Sequence, residues 1–183
     1  MPKPDIYVSV DIEADGPVPS LHSMLSLGAV ALDTSGVELG EFSVNLQTLP
    51  GAQGHPTTMA WWKTQEAAWI ACRENPEDPA SALPRFARWL NALPGQPVFV
   101  GYPASFDFMF VAWYLNRFAG ENPFGWSALD LKSYAMAKLG VGFSETIKRK
   151  MPPAWFANAR KHRHVALDDA REQAELLIAM LRS

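Results

Sequence analysis

At 183 residues the chain can bury a substantial core, and one domain spanning residues 1–183 is the expectation. Its residues are 48% hydrophobic and 19% charged, as in soluble globular proteins, and no apolar run is long enough to span a bilayer. A formal net charge of −3 excludes a general polyanion binder, so any nucleic-acid contact must come from a local basic patch.

The opening MPKPDIYVSVD lacks the apolar segment of a secretory signal and reads as a first strand over 5–12. Cys72 is the sole cysteine, so no intrachain disulfide exists and a reducing, cytoplasmic setting suits the chain. Residues 24–34 and 37–46 are two further strands, with Thr34-Ser35-Gly36 as the turn between them. Residues 47–58 form a loop. A single Trp-rich helix then runs through TTMAWWKTQEAAWIAC, capped by Thr57 or Thr58. After the breaker NPEDP, residues 80–93 form an amphipathic helix with Leu83, Phe86, Leu90 and Leu93 on one side. A short central strand over 97–101 leads into a helix over 104–118. Residues 129–139 form another helix, and 142–163 are irregular. The last helix covers about 165–181, with Leu167, Ala170, Ala174, Leu177, Ile178 and Leu181 at helical spacing. Strands early and strand–helix alternation later predict an α/β sandwich around a mixed sheet.

Three stretches carry the chemistry. Asp11 and Glu13 are two apart, so in a strand they leave the same face. D-x-E at a strand end is also ordinary turn chemistry. The apolar IYVSV before it instead places both acids over a core, where a hard divalent cation would relieve their repulsion. Asp15 precedes Gly16 and is assigned to the turn. Asp107 lies in SFDFMFVAWYL, where it either faces solvent or needs a partner, because an acid in so apolar a helix is costly to bury alone. His164 and Asp169 are five apart, about 140° around a continuous helix. They converge only if His164 precedes the helix and Asp169 lies near its first turn. There the helix dipole also favours Asp168 and Asp169, and a neutral imidazole can accept a proton.

Together these motifs resemble the DEDD-superfamily 3′–5′ exonucleases of the subgroup with His in the third motif (DEDDh), which includes oligoribonuclease, ribonuclease T and a polymerase proofreading subunit. D-I-E matches the first motif, F-D the second and H-V-A-L-D-D-A the third, in order across residues 11–169. The resemblance implies a ribonuclease H-like fold, a mixed five-stranded sheet flanked by helices. It implies two Mg²⁺ or Mn²⁺ ions held by Asp11, Glu13, Asp107 and Asp169, with His164 as general base. It also implies hydrolysis of single-stranded RNA or DNA from the 3′ end. Some relatives are homodimers; no feature of the sequence tests this. Many members carry Gly-His-Asn where this chain has Gly101-Tyr102-Pro103.

Candidate substrate contacts follow. Residues 148–163 contain Lys148, Arg149, Lys150, Arg160, Lys161 and Arg163 and no acid, and read as a phosphate-contacting arm or a solvated loop. Trp61 and Trp62 are adjacent on a helix, so one can be core while the other stacks a base. Met24 and Leu25 either pack on the terminal base or begin a strand. Trp69, Trp89 and Trp113 are read as core. Two other functions compete: an inactive exonuclease-like module that binds nucleic acid or a partner, and a phosphoesterase acting on mononucleotides. The complete set of acids and His164 argues against the first, and chain-length dependence would reveal the second.

Overall fold

The computed structural model describes residues 3–156 and 164–183. Five strands form one mixed sheet: β1 (Asp5–Ala14), β2 (Met24–Leu32), β3 (Glu38–Asn45), β4 (Gln96–Gly101) and β5 (Ala128–Asp130), in the order β3-β2-β1-β4-β5. β1–β2 and β2–β3 are antiparallel, whereas β1–β4 and β4–β5 are parallel. The helices are α1 (Pro56–Trp62), α2 (Glu66–Arg73), α3 (Pro79–Asn91), α4 (Ala104–Tyr114), α5 (Leu131–Leu139) and α6 (Ala166–Arg182). Among the described residues no helix is long and apolar enough to cross a membrane.

β1 alternates. Ile6, Val8, Val10, Ile12 and Ala14 enter the main core with Leu83, Phe86 and Leu90 of α3 and Phe110, Val111 and Tyr114 of α4. The intervening residues face α6. Every residue of β2 is buried, as expected of a strand covered on both faces. Between β2 and β3, Asp33 Oδ1 accepts hydrogen bonds from the Ser35 and Val37 N–H groups, which fixes the predicted turn.

Strand lengths create the site. β4 pairs with β1 only from Asp5↔Gln96 to Ser9↔Val100, whereas β2 follows β1 to Ala14↔Met24. The last residues of β1 therefore have no β4 neighbour, and the backbone there opens toward the start of α4. Asp130, at the end of β5, accepts from Ala104 N–H through Oδ2 at 2.8 Å and from Ser133 N–H through Oδ1 at 2.7 Å. One carboxylate thus caps α5 and ties down the first turn of α4.

Several element expectations are corrected. The Trp-rich stretch is two helices, broken at Lys63–Gln65, where Thr64 Oγ1 donates to Trp61 O instead of supporting a continued helix. His55, not Thr57 or Thr58, is the N-cap of α1; Pro56 occupies the first helical position, where it needs no N–H. The helix from 104 ends at Tyr114 and continues as a π turn over Leu115–Ala119, closed by Gly120 at φ +75°. Residues 128–130 are strand, and the next helix starts at Leu131. The segment from 142 contains three short 3₁₀ turns.

Candidate active site

The first strand delivers its acids to the α6 side of the sheet. Gly28 of β2 lies opposite Asp11. A Cβ on Gly28 would stand 2.3 Å from Leu167 N and 2.4 Å from Ala166 C, so only glycine lets the start of α6 rest on the sheet here. That close approach brings Asp169, buried in the first turn of α6, over β1.

Glu13, His164 and Asp169 each offer one ligand atom, and these atoms all lie within 4.8 Å of one another. His164 precedes α6, as the five-residue spacing requires, and Asp169 N–H donates to Val165 O at 3.0 Å. His164 has φ +53°, an uncommon backbone conformation for a non-glycine residue. Its imidazole meets the Trp61 ring edge to face, with centroids 4.9 Å apart and planes at 89°.

Asp107 is buried, and its Oδ1 accepts the Ile12 N–H at 3.1 Å. This is the strand backbone that β4 leaves unpaired, so α4 completes the edge with a carboxylate. Asp11 is partly exposed, and its Oδ1 accepts from Gln173 Nε2 at 2.7 Å. Burial raises Glu13 to about 8, with the Asp169 and Asp107 charges adding to it. Burial likewise raises Asp107 to about 7, opposed by its hydrogen bond from Ile12. Asp11 is raised well above the ordinary carboxylate range by burial first, then by Asp107, Glu13 and Asp169, with the Lys148 ammonium opposing. Hard oxygen donors and one imidazole, held together against their own repulsion, fit a divalent cation.

The candidate substrate residues divide. Trp61 is 38% exposed beside His164, whereas Trp62 is 2% exposed and its Nε1 donates to Ala14 O at 3.0 Å. Trp62 is therefore core, packed with Leu25, Ala68 and Cys72. Met24 is fully buried in the main core, where it has no surface to offer a base, and its N–H donates to the Tyr114 hydroxyl oxygen at 2.8 Å. Lys148 pairs with Glu172 at 2.6 Å, and its charge is felt at Asp11. Lys150 pairs with Glu145 at 2.8 Å. Arg149 is exposed. Arg160, Lys161 and Arg163 lie outside the described residues. Asp15 is buried and accepts from Ser23 N–H at 2.6 Å, in keeping with its assignment to the turn. Tyr102, which replaces the family's polar pair together with Pro103, donates its hydroxyl to Thr146 O at 2.6 Å, and Lys148 Nζ lies 5.9 Å from its ring centroid.

Two contributors escaped the sequence reading. Gly28 was signalled by a lone glycine within an apolar strand. Gln173 was signalled by its position one turn after Asp169, on the same side of α6.

Comparison with known proteins identifies the family and the fold. Residues 6–181 match the family model of the 3′–5′ exoribonuclease Rv2179c-like domain. The 3′–5′ DNA exonuclease Cap18 of Escherichia coli is 35% identical, over 94% of this chain and 89% of that protein. The nuclease domain of 3′hExo, a DEDDh family member solved with rAMP, superimposes with a TM-score of 0.74 at 14% identity, covering 98% of this chain and 92% of that one. E. coli exonuclease I in complex with a dT13 oligonucleotide gives 0.67 at 17% identity, over 95% of this chain and 40% of that longer one. The five-stranded sheet is thus the ribonuclease H-like sheet of these exonucleases. A family match over nearly every residue and a relative of similar length lead to one conclusion: the chain belongs to the Rv2179c-like 3′–5′ exoribonuclease domain family, and is a 3′–5′ exonuclease.

Proposed function

We propose that the chain, acting as one exonuclease domain over residues 1–183, removes nucleotides one at a time from the 3′ end of single-stranded RNA or DNA. The observation that carries this reading is the convergence of Glu13 from the first strand with His164, just before the last helix, and Asp169 in its first turn, within 4.8 Å. Asp11 and Asp107 complete the acidic set.

These four carboxylates would hold two Mg²⁺ or Mn²⁺ ions, and their hard oxygens suit those ions better than softer metals. Bound there, the ions supply charge neutralisation at the phosphate and a more acidic water. His164 is the general base: its imidazole takes the proton of the water that attacks phosphorus, and the 3′ oxygen of the shortened strand leaves. Its nearness to Glu13 and Asp169 would equally allow it to ligate a metal, but hard cations favour the carboxylates, which assigns the proton transfer to the imidazole. Trp61 packs against His164 and keeps part of its ring exposed, which supports a role in stacking the terminal base. Lys148 and its neighbours Arg149 and Lys150 would meet the phosphates.

The sugar is not decided by kinship, since the family model is described as an exoribonuclease and the E. coli relative is named a DNA exonuclease. The test is incubation with 5′-labelled single-stranded RNA and DNA, in Mn²⁺ or EDTA. A ladder of strands shortening from the 3′ end in Mn²⁺ is expected. Cleavage of a circular single strand, or full activity in excess EDTA, would overturn the proposal. Longer strands reacting no better than dinucleotides would point to a small-phosphate esterase.

A further inference from the structure

We infer that Gln173 is a positioning residue for Asp11: its neutral amide fixes one oxygen of that carboxylate and leaves the other for the cation. The inference rests on the metal-site reading above.

The bond joins residues 162 apart in sequence, at 2.7 Å. A carboxylate only accepts, so the amide must present Nε2 and point Oε1 elsewhere. Gln173 is 5% exposed, and its Oε1 has no hydrogen-bond partner among the described residues. Its neighbours on α6, Ala170, Ala174, Leu176 and Leu177, are buried and apolar. A leucine there would serve packing better, because an unpaired buried amide oxygen is destabilising. The fold tolerates this half-satisfied amide, and the amide touches Asp11.

Asp107 shows the same device. Its Oδ1 is held by the Ile12 N–H. Two acids from separate elements therefore each have one oxygen anchored by a neutral N–H donor. A carboxylate's terminal torsion is soft, so an unanchored Asp11 would sample many orientations. Neutrality matters as much as geometry. A lysine or arginine would also orient Asp11, but its charge would stand in the cluster in place of the metal's. The glutamine orients without neutralising.

The test is Mn²⁺ binding followed by electron paramagnetic resonance of the free ion, with the melting temperature measured with and without Mn²⁺. Gln173→Met keeps length and helix preference and removes the hydrogen bond. Its metal-free melting temperature should match or exceed that of the unsubstituted protein. Its Mn²⁺ affinity should fall about 10–100-fold, the range for loss of a residue that orients a ligand. Activity lost at limiting Mn²⁺ should return at high Mn²⁺. Gln173→Lys, which keeps a donor and adds charge, should weaken Mn²⁺ binding at least as much. Unchanged affinity and an unchanged Mn²⁺-dependent rise in melting temperature in Gln173→Met would overturn the inference, and unchanged affinity in Gln173→Lys would remove its neutrality argument. If the unsubstituted protein bound no Mn²⁺, the metal reading itself would fall first and take this inference with it.

Discussion

The two faces of β1 differ in what burial does for them. Ile6, Val8, Val10, Ile12 and Ala14 are buried against α3 and α4, and each stabilises the fold by leaving water. Ser9, Asp11 and Glu13 face α6. Ser9 Oγ has no hydrogen-bond partner among the described residues, and Glu13 is 8% exposed with its proton held up to about 8. One face supplies stability and the other consumes it. The lesson is that a single strand, through its period of two, can support the fold and carry a strained reactive cluster at once.

Substitutions on the two faces should separate these roles. Asp11→Asn should have the largest effect, lowering turnover about 10⁴-fold or more, as when one member of a catalytic unit is lost. Its metal-free melting temperature should not fall, because a repelling charge leaves with little change in volume. A variant that melts early would mean Asp11 also supports the fold. His164→Ala should cost turnover about 10²–10⁴-fold, as for loss of a general base, with Mn²⁺ affinity nearly unchanged. A loss of affinity comparable to the loss of rate would instead assign His164 to the metal.

On the other face, Ile6→Ala should cost about 2–5 kcal/mol of stability, measured by denaturant unfolding, with turnover per folded molecule preserved. A large fall in turnover would show that the faces are coupled. The smallest effect concerns pH. The folded protein holds the Glu13 and Asp107 protons up to about 8 and about 7, against ordinary values of 4.5 and 3.8. Below about pH 3 both folded and unfolded chains keep these protons, and the full contribution of these two groups to stability is present. As pH rises, the unfolded chain ionises first, so stability falls until the folded groups ionise too. The metal-free melting temperature should therefore drop by on the order of 5–10 °C between about pH 5 and pH 8. Mn²⁺ should restore most at the upper end. A metal-free protein equally stable at both ends would contradict the cost assigned to the acidic face.

Much of this was legible in the residues. The apolar run before Asp11, the two-residue step to Glu13 and the five-residue step from His164 to Asp169 each constrain geometry through a known period, so the cluster could be anticipated. Other features left weaker marks. β5 has three residues, too few to display alternation, and its Ala-Leu-Asp sequence also suits a helix start. The break between α1 and α2 falls at Lys63–Gln65, with no proline or glycine to signal it. Met24 and Trp62 could not be separated from surface residues by type alone; Met24 is buried because β2 is covered on both faces, and Trp62 because it turns into the core while Trp61 does not. Gln173 looked like any polar residue on an amphipathic helix. Its meaning depends on a partner 162 residues away, which no local pattern records.

The docking of α6 against Gly28 has a consequence for how the protein is made. Asp11 and Glu13 leave the ribosome well before His164, which precedes α6, and Asp169, which lies on the helix that rests on Gly28. A nascent chain that has not yet released α6 carries Asp11, Glu13 and Asp107 but lacks the two groups that converge with Glu13. On the proposed mechanism such a chain should not yet hydrolyse nucleic acid. Fragments that end before α6 are expected to be inert for the same reason, which would make synthesis and arming of the nuclease separate events.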